Sequence, residues 1–172
     1  SLTDYVSRMQ EGQEKIYYVV GENHNTAKNS PHLEIFRKKG IEVLLLSDRV
    51  DEWLMSHMAD FDGKVLQDVA KGSLDLGDIE DEADKAAQAE QEEQFKDLVE
   101  RVQGLLANDV ESVRITQRLT DSPACLVVAE HDMGAQMRRL MEAAGQALPE
   151  TKPTLELNPD HPLVTKLDQE AD

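Results

Sequence analysis

Apolar positions follow two regimes along this chain. Up to about residue 70 they come in short blocks divided by polar, glycine-marked turns; after residue 95 they spread at helical spacing. Ser1 with Asp4 three residues on resembles a capping box and predicts a helix around Tyr5–Met9. Ile16–Val20 is apolar and β-rich, is closed by Gly21, and reads as a strand. Pro31 suits the first turn of a helix through Leu33, Ile35 and Phe36, ended by Arg37-Lys38-Lys39 and Gly40. Ile41–Leu46 is nearly all apolar, as expected of a strand covered on both faces. Asp48 or Asp51 is expected to cap a helix carrying Trp53, Leu54 and Met58 that stops before Asp62-Gly63, with a third strand over Lys64–Val69. This alternation predicts a short parallel sheet between helices.

The second regime opens with Phe95, Leu98, Val99, Val102, Leu105 and Leu106, spaced three or four apart as on one face of a helix. Val110–Thr116 and Ala124–Val128 are expected to pair as strands through the Leu119–Pro123 turn. A helix is predicted from His131 to Ala144, ended by Gly145. Thr154–Leu157 reads as a strand, and Asn158-Pro159-Asp160 as a turn capping a last helix near Pro162. The expected fold is therefore α/β and α+β: a small α/β/α unit over residues 1–76, then residues 77–172 as an acidic helical connector and a mixed α+β domain with an amphipathic Met-rich helix.

Charge sharpens the boundary. The chain carries 35 acidic and 18 basic residues, and residues 75–100 alone hold 11 acidic against 2 basic, more than half of the excess. Gly72, Gly77 and the run Asp78–Asp84 read as a solvated hinge. A net charge of −17 argues against binding nucleic-acid phosphates or an anionic membrane surface. Only 4% of residues are aromatic, which disfavours a base-stacking platform. No apolar run approaches the ~20 residues of a membrane span. One cysteine, Cys125, excludes an internal disulfide and suits a reducing, cytoplasmic setting. The chain begins at Ser1 without an initiator Met or a signal-peptide pattern, so it is expected to be a piece of something longer.

Candidate chemistry is sparse. No phosphate-binding glycine loop is present, and His24, His32, His57, His131 and His161 are scattered without metal-ligand spacing. Cys125 sits in an apolar strand pattern, where a small buried side chain is the simpler account than a nucleophile. No catalytic residue, metal or cofactor is assigned. Two apolar features stand out. Trp53, the sole tryptophan, lies between Glu52 and Leu54-Met55. Met133, Met137, Leu140 and Met141 form a stripe at i, i+4, i+7 and i+8. Periodicity reads such a stripe as core packing; the other reading is an exposed, adaptable face for varied partners.

Several strings resemble the ninety-kilodalton heat-shock chaperone family in its bacterial HtpG form. They include Ser1-Leu2-Thr3-Asp4-Tyr5-Val6-Ser7-Arg8-Met9, Ser30-Pro31-His32-Leu33-Glu34, and Phe36 through Leu46. Asp48-Arg49-Val50-Asp51-Glu52-Trp53, Arg118 through Ala124, and Leu155 through Pro162 extend the match. The resemblance implies the end of a middle domain joined to the start of a C-terminal dimerisation domain. It implies a parent that is a homodimeric ATPase using ATP and Mg, with the nucleotide-binding domain outside this piece, so no enzyme activity is expected here. It also implies binding of unfolded or partly folded client proteins. Glu52, Trp53 and Ser56 match one client-contacting position, Ser56 standing where a relative can carry Asn. Met133, Met137, Leu140 and Met141 match a helix that projects into the client cleft. On that footing the exposed-stripe reading is preferred. The alternative is a purely structural coupling and dimerisation arm with no client site of its own.

Overall fold

Ser1 caps the first helix, α1 (Leu2–Ser7), with the reciprocal capping box that its spacing to Asp4 predicts. A computed structural model describes residues 1–74, 76, 79–80 and 82–170 of the chain. Tyr5, buried on α1, donates its hydroxyl hydrogen to the Glu42 carbonyl at 2.6 Å and accepts from Gln13 Nε2 and the Tyr17 amide. One phenol thus ties α1 to two neighbouring strands.

Those strands are β1 (Lys15–Val20) and β2 (Val43–Leu46), parallel and joined through α2 (His24–Lys28), a 3-10 turn over Pro31–Leu33, and α3 (Glu34–Lys39). The short α2 lacks an apolar period and was not expected; Asn23 forms it by accepting the Thr26 amide. Helix α4 (Asp51–His57) follows, then β3 (Asp60–Phe61) and β4 (Lys64–Asp68). The sheet order is β2-β1-β4-β3, with β1 parallel to both neighbours and β3 antiparallel at the edge. Tyr17, Val19, Phe36, Ile41 and Val69 belong to its core, the Tyr17 and Phe36 rings lying 4.8 Å apart.

Three expectations need correction here. Neither Asp48 nor Asp51 caps α4: Val50 holds the cap position without a side-chain bond, and Asp51 instead accepts the Asp48 amide at 2.8 Å. Strand β2 is half-buried rather than covered on both faces, because it is a sheet edge. Asp62-Gly63 does not merely follow a helix; both residues have positive φ, 50° and 73°, and form the two-residue turn of the β3–β4 hairpin.

In the second half, α5 (Glu82–Gln94) and α6 (Lys96–Leu105) precede a three-stranded sheet. The sheet contains β5 (Ser112–Ile115), β6 (Ala124–Val127) and β7 (Thr154–Leu157). Helix α7 (Ala135–Ala143) links β6 to β7, and α8 (Pro162–Gln169) ends the described chain. β5 and β6 do not pair with each other as expected. β7 lies between them, parallel to β5 and antiparallel to β6. In that central position β7 buries Glu156 and Leu157. Phe95, Leu98, Val113, Ile115, Leu157 and Val164 build this second core. The last helix is capped by His161, whose Nδ1 accepts the Leu163 amide, rather than by the preceding turn residues.

The junction between the two sheets is polar and buried. Arg118 is 0% exposed. Its Nε donates to Glu156 Oε1 at 2.9 Å, its Nη2 to the Gly72 carbonyl at 2.9 Å, and its Nη1 to the Val69 carbonyl. Arg114 Nε donates to the other Glu156 oxygen at 2.7 Å. Glu34, on α3, accepts the amides of Thr120, Asp121 and Ser122 and the Ser122 hydroxyl. His32 reaches the Leu126 carbonyl at 2.8 Å and Ser30 Oγ at 2.9 Å. A carbonyl only accepts, so Nε2 carries the proton and neutral Nδ1 accepts from Ser30. Helix α5 straps across the junction, with Lys39 paired to Asp84 and Gln91 donating to Asp160. The boundary expected after residue 76 adjoins Gly77, which with hinge residues Asp78 and Asp81 lies outside the described residues.

Replacing Glu156 by Ala strands a buried guanidinium, and urea unfolding is expected to show a loss of about 3–5 kcal/mol. Glu42→Ala removes only the exposed pair with Arg8 and should cost under about 1 kcal/mol.

Two junction groups set a pH response. Burial holds His32 below its ordinary value despite the Leu126 bond. Its contribution is full above the ordinary value of 6.5 and falls away as pH drops below it. Burial raises the Glu34 carboxyl, but the Ser122 hydroxyl and the loop amides outweigh it and hold it below 4.5, so that contribution is lost only at lower pH. Melting temperature is expected to fall more between pH 7.5 and 5.5 in the native chain than in His32→Gln, and Glu34→Gln should flatten the decline below pH 4.5.

Candidate functional site: a groove between α4 and α7

The site begins with a capping bond made at long range. Helix α7 has Gly134 at its N-cap, a residue with no side chain to satisfy the first amides. Glu52, on α4, supplies what is missing: Oε1 accepts the Gly134 amide at 2.5 Å and Oε2 accepts the Met137 amide at 2.7 Å. A carboxylate at a helix N-terminus is favoured both as a cap and by the helix dipole, each contributing on the order of 1 kcal/mol. Glu52 is only 7% exposed, and Lys71 Nζ stands 3.8 Å from Oε1. The approach favours glycine, because a Cβ on Gly134 would fall onto Glu52 Oε1 and displace the carboxylate from the α7 amides. The docking also explains why α7 starts at Ala135 and not at His131 as the apolar spacing suggests: the first amides are fixed by Glu52 and the residues before Gly134 lead in as a loop.

Between the docked helices lies a groove of ≈660 Å³. Glu52, Trp53 and Ser56 line one side and Met133, Met137 and Met141 the other, so six of the seven residues singled out in the sequence meet in one place. Leu140 does not join them; it lies outside the groove lining and is 51% exposed. Trp53 is 56% exposed, with its ring centroid 4.5 Å from that of His57. Met133 is exposed, Met137 and Met141 are half-buried, and no residue of α7 is fully buried. Ser56 points its hydroxyl back at the Trp53 carbonyl, 2.7 Å away, and His57 Nδ1 lies 2.8 Å from the same oxygen.

Sequence reasoning missed Met55, Val65, Asp68, Lys71, Glu130 and Asp132, which also line the groove. A signal existed for Met55, since Glu52, Met55 and Ser56 fall at i, i+3 and i+4 on one helix face. None existed for the others, which come from strand and loop positions brought in by the fold. Asp68 is buried, which raises its carboxyl above the ordinary range, and its Oδ1 accepts the Ala70 amide. Burial, with the Asp68 and Glu52 carboxylates adding to it, pushes the Tyr18 hydroxyl up. A second cavity of ≈570 Å³ opens on the other side of the α7 N-terminus, over the ends of β1 and β4. Helix α7 is thus capped at its first turn by Glu52, with no residue fully buried.

Among the described residues, no three His, Cys, Asp or Glu side chains are placed to hold a metal. Cys125 is buried in β6, and desolvation, with Glu156 nearby, pushes its thiol up to about 12, so it carries no thiolate reactivity near neutrality. No helix among the described residues is long and apolar enough to cross a membrane.

A family model described as Hsp90 protein matches residues 1–172. Chaperone protein HtpG of Dechloromonas aromatica (strain RCB) is 60% identical over 170 residues, covering 99% of this chain and 27% of that protein. The HtpG of Shewanella sediminis (strain HAW-EB3) is 58% identical over 172 residues, 100% of this chain and 27% of its own length. That of Alkalilimnicola ehrlichii is 58% identical, with 100% and 26% covered. The chain therefore spans about a quarter of the length of these curated relatives.

Gly134→Ala is expected to push α7 off Glu52, seen as faster amide exchange and proteolysis over residues 130–145 with the two sheets intact. Glu52→Ala should do the same and cost about 1–2 kcal/mol of stability.

Proposed function

The chain belongs to the Hsp90 protein family, and from that premise we propose that it is the client-contacting part of an HtpG-type chaperone. In this reading an unfolded or partly folded client lays apolar side chains into the groove between α4 and α7. The observation that supports it most is the meeting of exposed Trp53 with Met133, Met137 and Met141 across ≈660 Å³ of open space. Each Å² of apolar client surface covered contributes about 25 cal/mol. Methionine side chains adapt to many shapes, so the gain does not depend on one client sequence. Glu52 is not a free client ligand in this scheme, because both its oxygens face the α7 amides. It acts by holding the two walls together.

In the parent protein, client contact is linked to dimerisation and to ATP-driven closure. ATP and Mg belong to that parent: this sequence has no phosphate-cradling motif that fits them, and no step here runs through them. The buried Arg118–Glu156 knot and the Glu34 loop bonds favour a second role alongside the first. They make the junction stiff, so a load on α7 is passed to the sheet that carries α4. A purely structural arm would share that stiffness, but it leaves the exposed Trp53 and methionines without a task.

Trp53 reports directly, being the only tryptophan. Its emission is expected to be red-shifted and to move blue, with saturation, on titration with a Trp-free unfolded protein. Met133→Ser, Met137→Ser and Met141→Ser together should weaken that binding by on the order of tenfold or more without lowering the unfolding midpoint. An emission unmoved by client, or unfolding of the triple variant, would return the stripe to the core and favour the structural arm.

A further inference from the structure

The charges lining the groove are one-sided in a way that total composition does not show. Glu52, Asp68, Glu130 and Asp132 contribute four carboxylates, against the single ammonium of Lys71. Lys71 is already committed, its Nζ facing Glu52 Oε1 at 3.8 Å with its side chain only 16% exposed. Glu52 is likewise used up by the α7 amides. Asp68 is buried and accepts the Ala70 amide, so what remains unbalanced is Glu130 and Asp132 at the mouth, Glu130 exposed and Asp132 half-buried.

The cations of α7 do not correct this. Arg138 donates to the Pro149 carbonyl at 3.0 Å and to Thr151 Oγ1 at 2.6 Å. Arg139 pairs with Glu22. Neither lines the groove. Its walls therefore combine an apolar stripe with an acidic mouth, and Trp53 adds a ring face, the aromatic surface that best attracts a guanidinium or ammonium.

We propose that the groove selects client segments in which apolar side chains are flanked by Lys or Arg: the apolar groups lie against Trp53 and the methionines while the cations meet Asp132, Glu130 and the Trp53 ring. This rests on the client-binding reading above and names the chemistry of its ligand. A one-signed cleft raises the rate of encounter with cationic chain, and the effect is strongest at low salt because the mouth is open to solvent. Acidic segments of equal apolarity meet like charge and are turned away, so the preference is set by repulsion as well as attraction.

The test uses three Trp-free peptides with the same Leu and Phe residues, flanked by Lys, by Gln or by Glu, each titrated against the whole chain with Trp53 emission as the signal. At 50 mM salt the Lys peptide is expected to bind about tenfold tighter than the Glu peptide, with the gap narrowing at 0.5 M salt. The double variant Glu130→Lys, Asp132→Lys should close or reverse the order while retaining the Gln peptide. Equal binding of all three peptides, or an order unchanged in the double variant, overturns the charge selection and leaves the client groove standing. Binding of none, with the fold intact by circular dichroism, overturns the client groove itself and this inference with it.

Discussion

A guanidinium with no exposed surface is the constraint around which the two halves are arranged. Arg118 cannot sit in a dry junction unless a carboxylate and several acceptors surround it. The fold supplies them from distant parts of the chain: Glu156 from the central strand of the second sheet, and the Val69 and Gly72 carbonyls from the segment leaving the first. Arg114 occupies the remaining side of Glu156. Meeting these demands together holds the second sheet against the segment leaving β4, where Val128, just past β6, forms an isolated parallel bridge with Lys71 between the halves. A buried network of this kind adds less net stability than an apolar contact of equal size, but it tolerates few alternative arrangements. Its contribution is to the relative placement of the sheets.

That placement is what allows Glu52 to reach α7. The residues are 82 and 85 positions apart in sequence, and helix α7 has no cap of its own. A helix of nine residues with no fully buried side chain is marginal alone. The trans-acting cap gives it a defined start and a defined neighbour, while its apolar stripe stays available. The conflict between an exposed Met-rich face and a stable fold is thus resolved by polar anchoring at one end. The acidic surplus completes the arrangement, since a high net charge keeps such a surface soluble.

Much of the element structure was legible beforehand because local rules governed it. The capping box at Ser1, the β-rich Ile16–Val20 block, the basic last turn before Gly40 and the helical spacing from Phe95 onward all act within a few residues. The errors have the opposite character. β7 inserting between β5 and β6, β3 forming from two residues, and α7 beginning four residues late depend on partners far along the chain. Trp53 and the methionines could be nominated, but periodicity reports only that a face is apolar, not whether water or protein meets it.

The sequence by itself determined most of the helices and strands, the excess of negative charge and its concentration near the middle, and the family to which the chain belongs. These follow from side-chain chemistry read over short spans. Only the tertiary structure decided that Glu52 caps a helix instead of facing solvent, that Leu140 stands apart from the other stripe residues, and that Asp68, Glu130 and Asp132 line the same groove as Trp53. Those outcomes depend on burial and on long-range pairing. A buried arginine or glutamate takes whatever partner the whole fold can bring within about 3 Å, and no local pattern encodes that distance.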